Sequence, residues 1–184
     1  DKDGLTSEVS LNITIGTATT VSSAVIKADQ KLGAQTADAP GYYSVANGPI
    51  SSSNFEANKA SVNFSYGITD MNGTETSVSS KLISISDRSA EGLSKNTSGG
   101  IVTYFTATTL DYATVTDAEI NALTASSVST IKIEAGKTYS FVSGSSKGLI
   151  KVTSITDATD STKGEATISV KSITTSTELA ANAK

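Results

Sequence analysis

Residues 7–15, SEVSLNITI, alternate without a break, with Val9, Leu11, Ile13 and Ile15 on one face and Glu8, Ser10, Asn12 and Thr14 on the other. A period of two over this length predicts a half-buried β-strand. The same rhythm returns at 62–68 (VNFSYGI), where Val62, Phe64, Tyr66 and Ile68 share a face. Further strands are predicted at 81–86 (KLISIS), 101–106 (IVTYFT), 129–134 (STIKIE), 138–142 (TYSFV), 148–155 and 165–173 (EATISVKSI), with shorter candidates at 23–27 and 41–46 (GYYSVA). Asn47-Gly48-Pro49 ends the last of these, and Asp70-Met71-Asn72-Gly73 is a turn signal. Residues 29–40 read as a connection, and the polar, glycine-bearing stretch 87–100 as a surface excursion, being long for a hairpin loop.

Two stretches match a capping box, in which a hydroxyl accepts from the third helical N–H while a carboxylate reaches back. They are Ser53-Asn54-Phe55-Glu56 and Thr116-Asp117-Ala118-Glu119, the second followed by Ile120 and Leu123 on one side of a short helix. Neither helix can be long, because strand periodicity resumes at once. Many short strands at roughly ten-residue spacing, with no helix long enough to cover a parallel sheet, predict a mainly β fold: an antiparallel β-sandwich, Ig-like or Greek-key, with two short helices. The expected organisation is a linker at 1–6, one sandwich domain at 7–173 and a tail at 174–184. Any division into sub-sheets should fall near 87–100.

Composition sharpens this picture. A chain of 184 residues should bury roughly two-thirds of its unfolded surface. Trp is absent, so the core must be built from Val, Ile, Leu and Ala around six Tyr and four Phe. Ser and Thr make up nearly a third of the chain, which suits strands and turns better than helix interiors. The net charge of −4 provides no field to hold a nucleic acid or an anionic membrane surface. No apolar run has the length of a membrane-spanning helix. The opening DKDGLTSE, without Met, reads as a processed start.

Cys and His are both absent. Ser–His–Asp and Cys–His triads, thiolate or imidazole metal sites and His-ligated haem are therefore excluded within this chain. Met71, in a polar turn, is a poor haem ligand, and no cofactor or resident metal is expected. Glycoside hydrolysis needs only two carboxylates, but most of the 18 Asp and Glu sit in turns or at helix starts. The loops at 1–4, 70–75 and 157–160 carry oxygen ligands yet read first as turn formers. Asn12, Asn63, Asn72 and Asn96 match the N-glycosylation pattern, which a chain so rich in Ser and Thr produces by chance.

Tyr42 and Tyr43 are neighbours on one predicted strand, so one ring should enter the core and the other lie on the surface. With Asn47 beside them, Tyr42 and Tyr43 are the candidate ligand-contacting residues; core and edge packing is the plainer reading of the same rings. The hairpin at 136–155, GKTYSFVSGSSKGLIKVTSI, is the most regular stretch of the chain. Tyr139, Phe141, Ile150 and Val152 account for it as core, with Lys147 and Lys151 expected to face solvent. A site is expected in the less regular segments, around 42–48 and 87–100.

KLGAQTADAPGYYSVANG at 31–48, TYFTATTL at 103–110 and the same hairpin with its Gly148-Leu149-Ile150-Lys151-Val152 together resemble a family of Bacteroidetes cell-surface lipoproteins. The resemblance implies export, a lipidated cysteine just upstream of Asp1 as the only membrane attachment, and display on the outer surface. Asp160-Ser161-Thr162 resembles the O-glycosylation sequon of exported Bacteroidetes proteins, making Ser161 its candidate acceptor. The expected function is non-enzymatic: a surface module that binds or adheres to a glycan or a protein. The alternative is a structural spacer or a filament or pilin-like subunit, and a glycan-active enzyme comes third.

Overall fold

The computed structural model describes residues 19–21, 23–35, 37–70 and 77–177. The strand expected at 7–15, the loop at 1–4, most of the 70–75 turn and residues 178–184 of the tail lie outside them. The chain order is β1 (Thr19–Val21), β2 (Val25–Gly33), β3 (Tyr42–Ser44), β4 (Gly48–Ile50), α1 (Phe55–Asn58), β5 (Phe64–Thr69), β6 (Ser79–Ser84), β7 (Thr103–Ala107), α2 (Asp117–Asn121), β8 (Thr130–Lys132), β9 (Thr138–Ser143), β10 (Ser146–Thr156) and β11 (Glu165–Thr177). Two antiparallel sheets result. One runs β11-β10-β9-β7, with β1 and β2 end to end along the free edge of β11; the other runs β4-β3-β5-β6-β8. The fold is the mainly β antiparallel sandwich that the alternation predicts. Among the described residues no helix is long and apolar enough to cross a membrane.

The shared core lies between the sheets. Tyr43, Phe64, Tyr66, Ile68 and Leu82 project from one side, and Phe105, Tyr139, Phe141, Ile150, Val152 and Ile168 from the other. Phe64 is its centre: it stacks on Tyr43 at 5.0 Å and meets Phe105 edge-on at 5.9 Å. Such aromatic pairs add about 0.5–1.5 kcal/mol beyond the area they bury. The β9–β10 hairpin turns on Gly144 and Ser145 alone, pairing Ser143 with Ser146. Gly144 takes φ +58° at the first central position, where a two-residue turn matched to strand twist favours glycine.

Both sheets are also covered on their outer faces. On the first, Val115 and Ile120 pack on Leu149 and Ile173. Here the Thr116–Glu119 capping box forms in full: Thr116 N–H donates to Glu119 at 2.8 Å, and Glu119 N–H to the Thr116 hydroxyl at 3.3 Å. Lys147 does not face solvent as expected; its ammonium donates to the carbonyls of Asn121 and Leu123 at the end of α2, at 3.0 and 2.8 Å. Lys151 donates to the Gly136 carbonyl at an exposed position.

Three other expectations are corrected. Residues 29–33 belong to β2: Ala28 and Asp29 together oppose Ser169 as a bulge, Asp29 at φ +50° donating to the Ser169 hydroxyl at 3.1 Å, and the extra residue breaks the alternation that would have revealed the strand. The Ser53–Glu56 capping box does not form, because a 3-10 turn starting at Ser52 places Ser53 inside the helical segment; Glu56 pairs with Lys59 instead, at 2.9 Å. Finally, β11 continues through Thr177, so residues 174–177 are strand and not tail.

Candidate functional site

The outer face of the second sheet is polar for a covered surface. Ladder register puts Ser65, Gly67 and Thr69 of β5 beside Ile83, Lys81 and Ser79 of β6, with Tyr42 of β3 opposite Ser65. Residues 85–100 lie over this face as a strap. They are not the surface excursion their polarity suggests: Ile85, Arg88, Glu91 and Leu93 are all buried. Gly67 makes room for the strap, since a Cβ there would come within 2.9 Å of Ile83 Cδ1 and 3.3 Å of Leu93 Cδ1.

Polar groups of the sheet find charged partners in the strap. Glu91 accepts from the Thr69 hydroxyl at 2.5 Å and from the Lys81 ammonium at 3.2 Å, an ion pair closed to water on both sides. Asp87 accepts from the Ser129 and Thr130 hydroxyls. Arg88 is only 4% exposed. Its Nη1 donates to the Ser65 hydroxyl at 2.8 Å, its Nε to the Lys95 carbonyl at 3.1 Å, and its guanidinium lies 4.8 Å from the centre of the Tyr42 ring. Desolvation pulls its pKa below the usual arginine value, while Tyr42 works in the opposite direction. No carboxylate among the described residues pairs with it.

Beside this arrangement lies a cleft of about 440 Å³. Tyr42, Tyr66, Arg88 and Leu93 line it, together with Ser51–Ser53, Ser94, Lys95, Gln35 and Asp38. A smaller recess of about 170 Å³ shares Ala37 and Asp38 with it and adds Thr162, Lys163 and Glu165.

The two segments singled out as the place for a site, 42–48 and 87–100, thus meet at the cleft through Tyr42 and Arg88. The candidate residues themselves divide. Tyr42 lines the cleft, but it is buried rather than on the surface: its ring packs on Phe55 at 4.7 Å, and its hydroxyl accepts from Asn96 at 3.0 Å. Tyr43 points into the core as alternation requires, is fully buried and lines neither the cleft nor the recess. Its hydroxyl has no partner among the described residues, and burial, then the neighbouring Tyr112 phenol, push its ionisation far above the usual tyrosine range. Asn47 is exposed at the β3–β4 turn, where its N–H donates to the Ser44 hydroxyl at 3.2 Å, and it is not part of the cleft wall.

Ser161 is exposed in a turn that Asp160 organises by accepting from the Thr162 N–H and hydroxyl at 2.8 and 2.6 Å. Those same hydrogen bonds, led by the hydroxyl's, hold the Asp160 carboxyl below its usual range. Residue-by-residue reading missed Arg88. The signal was present in composition: 13 of the 14 basic residues are lysine, and the single arginine sits inside the 87–100 segment.

The comparisons with known proteins add no name to this geometry: no family model, curated protein or solved structure matches the chain.

Proposed function

We propose that the chain is a non-catalytic binding module, exported and held at the cell surface by a lipid on a residue upstream of Asp1, and that it takes a short, hydroxyl-rich glycan segment in the cleft beside Tyr42 and Arg88. One observation carries the reading. At about 440 Å³ the cleft lies within the range of small-molecule sites, about 300–1,000 Å³. Its lining also mixes apolar surface from Tyr42 and Leu93 with donors and acceptors from Arg88, Gln35, Lys95 and the serines of 51–53, the mixture such sites use to fix orientation.

The competing readings have less support. A spacer takes its tethers at opposite poles, whereas Thr19 and Thr177, the outermost described residues, pair with each other across one ladder. Glycoside hydrolysis takes two facing carboxyl groups about 5 to 9.5 Å apart, and among the described residues Asp38 is the one carboxylate side chain on the cleft lining. Export and lipid anchoring rest on the sequence resemblance. A glycan array probed with the intact chain tests the binding reading, with amide resonances of residues 51–53 and 94–95 followed on any glycan retained. Retention that shifts those amides supports it; no retention, or retention that leaves them still, overturns it.

A further inference from the structure

Arg88 is a cation without a counter-ion. Both acids that flank it in the strap are engaged elsewhere, Asp87 by Ser129 and Thr130 and Glu91 by Lys81 and Thr69. Taking a lone charge out of water costs several kcal/mol even after the protein relaxes. The face of Tyr42 recovers part of that. A guanidinium carries five N–H donors; Nε and Nη1 each use one, on Lys95 and Ser65, which leaves three. One of these meets the Tyr42 side chain, which holds the Arg88 pKa up as a hydrogen-bond partner, so two are left for a ligand. Arg88 lines the cleft, so a ligand seated there meets the donors that Lys95, Ser65 and Tyr42 leave over.

We infer that the cleft takes the anionic group of an acidic saccharide, a uronic carboxylate or a sulfate ester, and that Arg88 is the residue that holds it. The inference rests on the binding reading above and names its ligand class. A planar fork fixed at two nitrogens and backed by a ring is preorganised for a paired oxyanion, so little side-chain entropy remains to be lost on binding. Lys95, exposed on the wall, adds a second positive charge. The serines of 51–53, Ser94 and Gln35 offer neutral partners for sugar hydroxyls. Asp38, exposed on the lining, disfavours a ligand that carries negative charge along its whole length. A phosphodiester chain is disfavoured by the net charge of −4.

Because Arg88 is the sole arginine, its Nε–H gives one arginine side-chain cross-peak in an ¹⁵N-correlated spectrum of the intact chain, assigned by count. The titrants are D-glucuronate, D-galactose 6-sulfate, the uncharged D-glucuronamide and inorganic sulfate. The expected result is a saturable shift of that peak with glucuronate or the sulfated sugar, and binding of the amide at least about tenfold weaker, the lower end of what a charge-assisted hydrogen bond contributes. Whichever acid binds more tightly identifies the carboxylate or the sulfate as the source of the charge. Arg88→Lys, which keeps the charge and loses the fork, should weaken the acid about tenfold, and the wild-type ligand series decides the matter should that variant not fold. If the amide binds as tightly as the acid, or the acid binds without moving the Arg88 peak, the inference falls while the cleft remains a glycan site. Inorganic sulfate binding as tightly as both sugars also overturns it, leaving a simple anion hole. If no saccharide moves the amides of 51–53 or 94–95, both readings fall together.

Discussion

Lys81→Met tests the account of the strap most directly. Lys81 has no solvent exposure, and Glu91 is 6% exposed. At the 3.2 Å separation of the pair, an effective dielectric of about 20 gives a gross attraction of roughly 5 kcal/mol. Desolvation of the two ions opposes it, so the pair as a whole contributes far less. Removing one member is different, because the survivor keeps its desolvation cost and loses its compensation. Breaking buried pairs in this way costs about 3–5 kcal/mol. Glu91 would be left with the Thr69 hydroxyl alone, and the expected loss is in that range. Urea unfolding at pH 7 measures it, with Lys31→Met, at a 68% exposed side chain, as the control expected to lose under about 1 kcal/mol. Replacing both ions, Lys81→Met with Glu91→Leu, should recover the part of the loss that comes from stranding Glu91. A single-variant loss no larger than the control's would refute the reasoning, as would a double variant less stable than Lys81→Met alone.

Two further predictions follow from polar groups placed elsewhere. Tyr43→Phe removes a buried hydroxyl that has no partner among the described residues and should stabilise the fold by about 1 kcal/mol. Because the folded-state pKa of Tyr43 is raised, the wild type should also lose stability as pH rises past the unfolded tyrosine value of about 10, and the variant less so in alkaline urea titrations. Glu119, whose carboxyl is held low by the backbone and then the side chain of Thr116, contributes stability above the unfolded carboxylate range and loses it as pH falls through its lowered folded value. Glu119→Gln keeps a box-forming side chain and should remove that part of the acid sensitivity in urea midpoints between pH 5 and 3.

Alternation reported the sandwich wherever each strand kept one apolar face. Phe64, Tyr66 and Ile68 placed β5, and Tyr139, Phe141, Ile150 and Val152 placed the β9–β10 hairpin. It failed in β2 for a geometric reason, since one inserted residue at Ala28–Asp29 reverses every later face. It failed at 85–100 for an energetic one. Polarity suggests exposure, yet Arg88 and Glu91 are buried because Ser65, Thr69 and Lys81 meet them there. Opposite facing of Tyr42 and Tyr43 was legible, but not that a strap would cover the Tyr42 side. No local pattern announces a segment that folds over its own sheet. The location of the cleft therefore came through from the irregularity of two segments, while its chemistry depended on a side-chain environment that only the assembled sheets create.

The ladder that joins Thr19 to Thr177 has a mechanical consequence. Antiparallel pairing puts these two residues at the same end of β1 and β11, so tension applied between them opens the hydrogen bonds in succession instead of loading them side by side. Beyond Val21 the same pull meets β2, paired with β11 from Ser172 to Glu165, and peels it in the same direction. A domain tethered through both residues would therefore yield as a zipper at low force.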